Sequence, residues 1–142
     1  MLKLSVRTRA AVLLAIMNAG DLLFLEILSG QVRIASLPRP GDRVPPGSSG
    51  MSLVLRASQD PSDSAAQHVG HAVVEGRLAQ GVTEVVAAVR CSEAQGIAAL
   101  GVAGHLERAQ LPGVIHVVME AANALSHDLM QTLPSLGNLA KH

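Results

Sequence analysis

The sequence predicts an α+β domain in which helices pack on a mostly antiparallel sheet. Apolar runs of strand length recur through the first two thirds of the chain, and the last third changes to apolar residues at helical spacing. Two of the runs, residues 83–90 and 97–103, are almost continuously apolar or small, which is typical of strands covered on both faces. A sheet flanked by helices accommodates both patterns.

The N-terminal part is predicted to be an antiparallel meander. We expect strands at residues 9–17 and 22–28, joined by turn residues at 18–21, and a third strand at residues 31–37. The alternative is a secretory signal, because basic residues precede the first apolar run. A β-hairpin explains both apolar runs at once, so we favour the hairpin.

A proline-rich segment, residues 38–47, follows the predicted meander. It excludes a helix or a central strand, because proline fixes φ and lacks the donor N–H. A helix is then expected over residues 49–57, with Ser48 or Ser49 as its cap. Beyond it we expect a linker at 58–63, a short helix at 64–69 and a strand at 71–74.

The C-terminal part is predicted to be one long amphipathic helix. From Val114 onward apolar residues recur at helical spacing, and Pro134 is expected to end the helix or to follow it closely. The 142 residues, 49% of them hydrophobic, match the size and core of a single domain. We therefore expect one domain over residues 1–142, with a disordered tail at 134–142.

Composition argues against several classes of function. Lys and Arg number 11, as do Asp and Glu, so no excess positive charge is available to neutralise nucleic-acid phosphates. Phe24 is the sole aromatic residue, so the chain lacks the set of aromatic side chains on which the bases of a single-stranded nucleic acid usually stack. A single cysteine, Cys91, fits a reducing compartment, and no apolar run reaches the roughly 18 residues that cross a bilayer. The expected location is cytoplasmic.

Catalytic and metal-binding interpretations find little support in the sequence. His68 and His71 have helical spacing, but Gly70 weakens the helix and a third ligand is missing at a persuasive spacing. Cys91 beside Arg90 is a lone cysteine in a predicted turn, and the serines before the first long helix match no nucleophile signature. We expect no enzymatic activity, no metal and no cofactor.

Three stretches, taken in order, resemble the effector-binding domain of IclR-type transcription regulators. They are residues 15–26 with 41–50, residues 71–75 with 81–89, and residues 97–104 with the helix around 120–122. The resemblance implies a GAF/profilin-like fold and a small-molecule effector, for example a small organic acid. The family's winged helix-turn-helix has no counterpart before Arg9, so DNA would be contacted only through a domain missing from this chain.

The resemblance also implies a set of effector-binding residues. In the loop before the first helix and in the last two strands they are Gly47, Ser48, Ser49, Gly50, Val82, Glu84, Gly101 and Ala103. A helix N-terminus offers unpaired N–H groups to a carboxylate, although a plain helix cap explains the serines equally well. Gly101 and Ala103 leave either ligand volume or room for a closely packed helix.

Glu84 is the residue that fits an acidic effector least. Its carboxylate would repel an anion unless a cation pairs with it or burial raises its pKa. The alternative is that Glu84 points to solvent at the start of a strand, which we expect because exposed carboxylates are the rule.

Three classes of function follow from these patterns. The first is effector sensing, and the second is a structural or oligomerisation module in which the same small residues serve packing. A secreted binder or enzyme is a third, which requires processing of the N-terminus. Because only 15% of the residues are charged, apolar surface is expected to remain for self-association into a homo-oligomer.

Overall fold

In the computed structural model the chain forms a six-stranded antiparallel sheet with helices on both faces, which confirms the predicted fold class. The structure describes residues 2–29, 34, 37–59, 70–90 and 97–140. The strands are β1 Ala11–Asn18, β2 Asp21–Leu28, β3 Arg43–Val44, β4 His71–Glu75, β5 Thr83–Arg90 and β6 Ile97–Gly104. The helices are α1 Leu2–Thr8, α2 Met51–Gln59 and α3 Leu111–Ala140, and short 3-10 turns span Pro46–Ser48 and Arg108–Gln110.

The strand order β3-β2-β1-β6-β5-β4 places β1 and β6 at the centre of the sheet. The β1–β2 hairpin turns through Ala19 and Gly20, whose φ angles of 54° and 86° both lie in the left-handed region. Positive φ at two successive turn residues is the geometry that suits a right-twisted hairpin. The Arg43 side chain secures this turn, because it donates to the backbone oxygen of Asn18 at 3.2 Å and to its Oδ1 at 2.6 Å.

Successive side chains of each strand point to opposite faces of the sheet, and this divides the core into two layers. Val85, Ala87 and Val89 of β5 belong to the layer that α3 covers, together with Val114 and Val118 of that helix. The other layer lies under α2 and includes the largest fully buried side chains on that face, which are Phe24, Leu13, Leu22, Met51 and Leu55. Both faces of β5 and β6 are therefore covered, as their continuous apolar sequences predicted.

The predicted meander is correct for its first two strands and differs at the third. Most of residues 31–37 lie outside the described part of the chain, and Ile34 and Leu37 are not in a strand. The strand that pairs with the outer side of β2 is β3, which lies inside the proline-rich segment. Its Arg43 is paired with Leu23 of β2. Proline cannot donate to a strand ladder, so this pairing is confined to two residues at the sheet edge.

The first long helix spans Met51–Gln59, two residues later than the expected 49–57, so residues 58 and 59 belong to it rather than to a linker. The remaining residues of the predicted linker, the predicted helix at 64–69 and Cys91 lie outside the described residues. The strand expected at 71–74 is confirmed as β4, one residue longer than predicted. His71 therefore lies in a strand, and the helical spacing with His68 does not apply to it.

Helix α3 is longer than the sequence predicted at both ends. It begins at Leu111, with Pro112 in the first turn, where the missing N–H costs nothing. It continues through Pro134 to Ala140, so the prediction that Pro134 ends the helix was wrong, and the expected tail is helical as far as Ala140. Proline removes one hydrogen bond of a helix and can be accommodated inside it at a cost. Of the helices the structure describes, none has the length and hydropathy needed to cross a membrane.

Candidate functional site

The eight residues implied by the resemblance lie around the start of α2. Six of them are buried, namely Ser49, Gly50, Val82, Glu84, Gly101 and Ala103. Gly47 and Ser48 belong to the 3-10 turn that precedes the helix, where Gly47 is exposed and Ser48 is half-buried. The structure thus brings the loop and strand residues to the same face of the sheet.

The centre of this region is the carboxylate of Glu84. Its Oε2 accepts a hydrogen bond of 2.6 Å from the Ser49 hydroxyl, and its Oε1 accepts one of 3.0 Å from the Gly50 backbone N–H. Glu84 is fully buried, which corrects the expectation that it points to solvent. The carboxylate lies where the first N–H groups of α2 are unpaired, so it takes the role of an anion bound at a helix N-terminus.

The strand pattern explains why Glu84 is buried. In β5 it shares a face with Val86 and Ala88, both of which belong to the layer under α2. Its ladder neighbours are Val74 on β4 and Ala103 on β6, so the strand on each side is paired. A carboxylate in this position has to find its hydrogen-bond donors within the protein, and the start of α2 supplies them.

Ser49 connects the carboxylate to the helix. Its backbone is extended, with φ −150° and ψ 150°, which suits a residue that precedes a helix. Its hydroxyl oxygen also accepts from the Met51 N–H at 3.3 Å, while the Ser52 hydroxyl donates to the Ser49 carbonyl at 3.0 Å. The predicted capping role of Ser49 is therefore combined with donation to Glu84.

Burial raises the pKa of the Glu84 carboxyl above its ordinary value of 4.5. Three weaker effects act in the opposite direction, which are the hydrogen bonds from Ser49 and Gly50 and the positive charge of Arg77. The loss of hydration thus outweighs the local donors, as is usual for a carboxylate removed from water.

This shift predicts how stability depends on pH. A carboxyl whose pKa is higher in the folded than in the unfolded state stabilises the fold fully below pH 4.5, and that contribution is lost as the pH rises through the folded value. We expect the melting temperature of the parent protein, relative to Glu84→Gln, to fall as the pH is raised above 4.5. Thermal melts of both proteins over a pH series test this. A temperature difference that stays constant, or grows in favour of the parent, would contradict the raised pKa.

Gly101 is packed against its surroundings. A Cβ atom added to it would lie 2.6 Å from Val86 Cγ1, 2.9 Å from the Val85 carbonyl oxygen and 3.3 Å from Met51 Cε. Gly50 is likewise pressed against the Val74 side chain. The two glycines therefore allow α2 to approach the sheet closely, which is the packing alternative raised by the sequence. Ala103 and Val82 are buried in the same layer.

A cavity of about 130 Å³ lies elsewhere in the molecule. Its walls come from β4, β5 and the residues leading into α3, and they are Val73, Val74, Glu75, Thr83, Leu106, Arg108 and Leu111. None of the eight predicted effector-binding residues lines it. Among the described residues no three His, Cys, Asp or Glu side chains come together in a group that could hold a metal ion.

No protein-family model and no curated protein sequence matches this chain. Among solved structures it is similar to an IclR homologue from Microbacterium hydrocarbonoxydans complexed with 4-hydroxybenzoate, at 25% identity and a TM-score of 0.75, over 91% of this chain and 64% of the other. It is also similar to IclR of Thermotoga maritima, at 15% identity and a TM-score of 0.77, over 90% and 64%.

A third similar structure is the repressor BlcR of Agobacterium tumefaciens, at 15% identity and a TM-score of 0.75, over 88% of this chain and 62% of that protein. The chain thus spans just under two thirds of the length of these regulators, while almost all of it is matched. This coverage agrees with a match to one domain of a longer protein. The chain has the α+β fold of the effector-binding domain of IclR-family regulators, as the resemblance in its sequence predicted.

Proposed function

We propose that this chain is a small-molecule-sensing domain of an IclR-type transcription regulator. The observation that carries the proposal is the buried carboxylate of Glu84, held by Ser49 and Gly50 at the start of α2 within an apolar core. Buried polar groups with shifted pKa values cost stability and are concentrated at functional sites. The start of α2 and the adjoining ends of β5 and β6 are therefore the proposed effector site.

The similar Microbacterium protein, which was solved with 4-hydroxybenzoate, supports a small organic molecule as the effector. Its similarity covers 91% of this chain. A regulatory role also supports the proposal that the chain is not an enzyme. The residues proposed to contact the effector remain Gly47, Ser48, Ser49, Gly50, Val82, Glu84, Gly101 and Ala103.

An effector at this site would have to change the packing of α2. Met51 at the start of the helix contacts the position above Gly101, so a ligand gains room there only when α2 shifts away from the sheet. Binding would favour the shifted arrangement by as much as the effector's affinities for the two arrangements differ. We propose that this movement of α2 transmits effector binding to a DNA-binding domain elsewhere in the protein.

Close packing at Gly101 also favours a second function, a structural or oligomerisation module without a ligand. In that case the small residues under α2 serve only to bring the helix and the sheet together. Under both functions we propose a cytoplasmic homo-oligomer that contacts DNA only through another domain. The balanced formal charge supports the absence of DNA binding by this chain itself.

Thermal stabilisation by a ligand distinguishes the two functions. If 4-hydroxybenzoate or its uncharged analogue 4-hydroxybenzamide binds the folded chain, stability should rise by about 2.7 kcal/mol at a concentration of 100 times Kd. Melting temperatures measured over a concentration series of each compound test this. The structural module predicts no response to either compound or to related small aromatic molecules.

Two variants locate any response that is observed. Ser49→Ala alters the proposed site, and Arg108→Ala alters the wall of the 130 Å³ cavity. Loss of the response in Ser49→Ala with retention in Arg108→Ala supports the proposed site. The reverse result would assign the ligand to the other cavity.

A further inference from the structure

The proposed effector site already contains a carboxyl group, which is the side chain of Glu84. Both carboxylate oxygens are engaged, one by the Ser49 hydroxyl at 2.6 Å and one by the Gly50 N–H at 3.0 Å. These donors lie at the start of a nine-residue helix, whose N-terminus carries a partial positive charge. The donors that an acidic ligand would need are therefore in use.

The described groups around the carboxylate offer a second anion no counter-charge. Glu84 is fully buried, and the strand residues paired with it are Val74 and Ala103, which offer no positive charge. Val74 also packs directly against Gly50. Arg77 is the cation whose charge acts on Glu84, and it lies on the exposed connection between β4 and β5. A second carboxylate would compete with Glu84 for the same two donors, and where Glu84 is ionised it would also meet a like charge at close range in a medium of low polarity.

We infer that Glu84 determines the charge specificity of the proposed site, so that it admits uncharged ligands and excludes small carboxylic acids. The inference rests on the proposed function for the location of the site. The inference adds the chemical class of the ligand, which is an uncharged small molecule in place of the small organic acid that the family resemblance implied. Removal of the Glu84 carboxylate frees the helix N-terminus, and an acid from solution can then bind there.

Acetate tests this inference directly, because it restores the carboxyl group that Glu84→Ala removes. We expect sodium acetate to raise the melting temperature of Glu84→Ala and to bind it at least about tenfold more tightly than the parent protein, since at least one charge-assisted hydrogen bond is regained. Acetamide tests the need for negative charge, and sodium chloride at equal concentration controls for ionic strength. Acetamide and sodium chloride should both raise the melting temperature of Glu84→Ala much less than sodium acetate does.

Two further variants complete the experiment. Glu26→Ala removes an exposed carboxylate on β2 and should respond to acetate like the parent. Glu84→Gln keeps the shape of the side chain with a weaker, uncharged acceptor, so its acetate response should lie between those of Glu84→Ala and the parent. The comparison of Glu84→Gln with the parent remains informative if Glu84→Ala does not fold.

The outcomes separate this inference from the proposed function. Equal acetate responses in the parent and the Glu84 variants would overturn the role of Glu84, and so would a folded Glu84→Ala that acetate does not stabilise. Failure of the proposed function would appear differently, as a parent protein that no small aromatic compound stabilises. Stabilisation of the parent by 4-hydroxybenzamide, with a response to 4-hydroxybenzoate only after Glu84 is replaced, is the result expected if both are correct.

Discussion

Gly101→Leu is expected to destabilise the domain by about 3 kcal/mol or more, at the upper end of the range for overpacked cores. The first added carbon already lies 2.6 Å from Val86 Cγ1 and 2.9 Å from a backbone oxygen, and the rest of the leucine side chain has to displace Met51. The melting temperature should fall by roughly 6–12 °C, at 2–4 °C for each kcal/mol in a chain of about this length. Thermal and denaturant unfolding of the variant measure the effect.

Two glycine substitutions control for this result. Gly101→Ala should cost less than leucine but still be destabilising, because its Cβ meets the same backbone oxygen. Gly113→Ala lies in α3, where the added carbon meets nothing within 4 Å apart from its chain neighbours and the nearby backbone of its own helix, and it should stabilise the domain by up to about 1 kcal/mol through helix propensity. An unchanged melting temperature in Gly101→Leu, together with a lost ligand response, would instead establish ligand volume above Gly101.

The elements that were predicted correctly are those whose sequence carries a single strong pattern. Residues 83–90 are strand β5 as predicted, and β6 extends one residue beyond the predicted 97–103. Continuous apolar sequence is compatible only with burial on both faces, and α2 and α3 provide that burial. Local pattern and tertiary packing agree in this part of the chain, so the sequence alone was sufficient to predict strands β5 and β6.

The incorrect predictions arose where local rules compete with tertiary context. Pro134 is a strong local signal for a helix end, but the helix accommodates it. The predicted strand at 31–37 lies mostly outside the described residues, and the observed pairing at the sheet edge uses two residues between prolines. A pairing this short depends on the position of β2 and has no periodicity of its own.

The resemblance named both Ser49 and Glu84, which the structure places in contact, but local chemistry misjudged how the two side chains are used. Glu84 was expected to be exposed, because most carboxylates at the start of a strand point to solvent. The alternation with Val86 and Ala88 was the signal that could have corrected it, because it places Glu84 on a covered face. Contact between residues 35 positions apart requires the position of α2 on the sheet, which no local pattern specifies.

Ser49→Ala is expected to destabilise the domain by about 2–4 kcal/mol at a pH where Glu84 is ionised. The hydroxyl serves as a donor to the buried Glu84 and as an acceptor for the Met51 N–H. A hydrogen bond to a charged group contributes about 1.5–3 kcal/mol, and a helix cap adds about 0.5–2 kcal/mol. Ser48→Ala is the matched control, because the neighbouring serine lies in the preceding turn, and its effect should stay within about 0.5 kcal/mol.

A double-mutant cycle with Glu84→Gln isolates the contact itself. Because the ionised carboxylate is the stronger acceptor, Ser49→Ala should cost less in the Glu84→Gln background than in the parent, with a coupling energy of about 0.5–3 kcal/mol. Below the raised pKa of Glu84 the carboxyl group is protonated in both the parent and Ser49→Ala, so the cost of Ser49→Ala in the parent should decrease as the pH falls. Equal costs of Ser49→Ala in both backgrounds at every pH would mean that Ser49 acts only as the cap of α2 and that Glu84 is held by other groups.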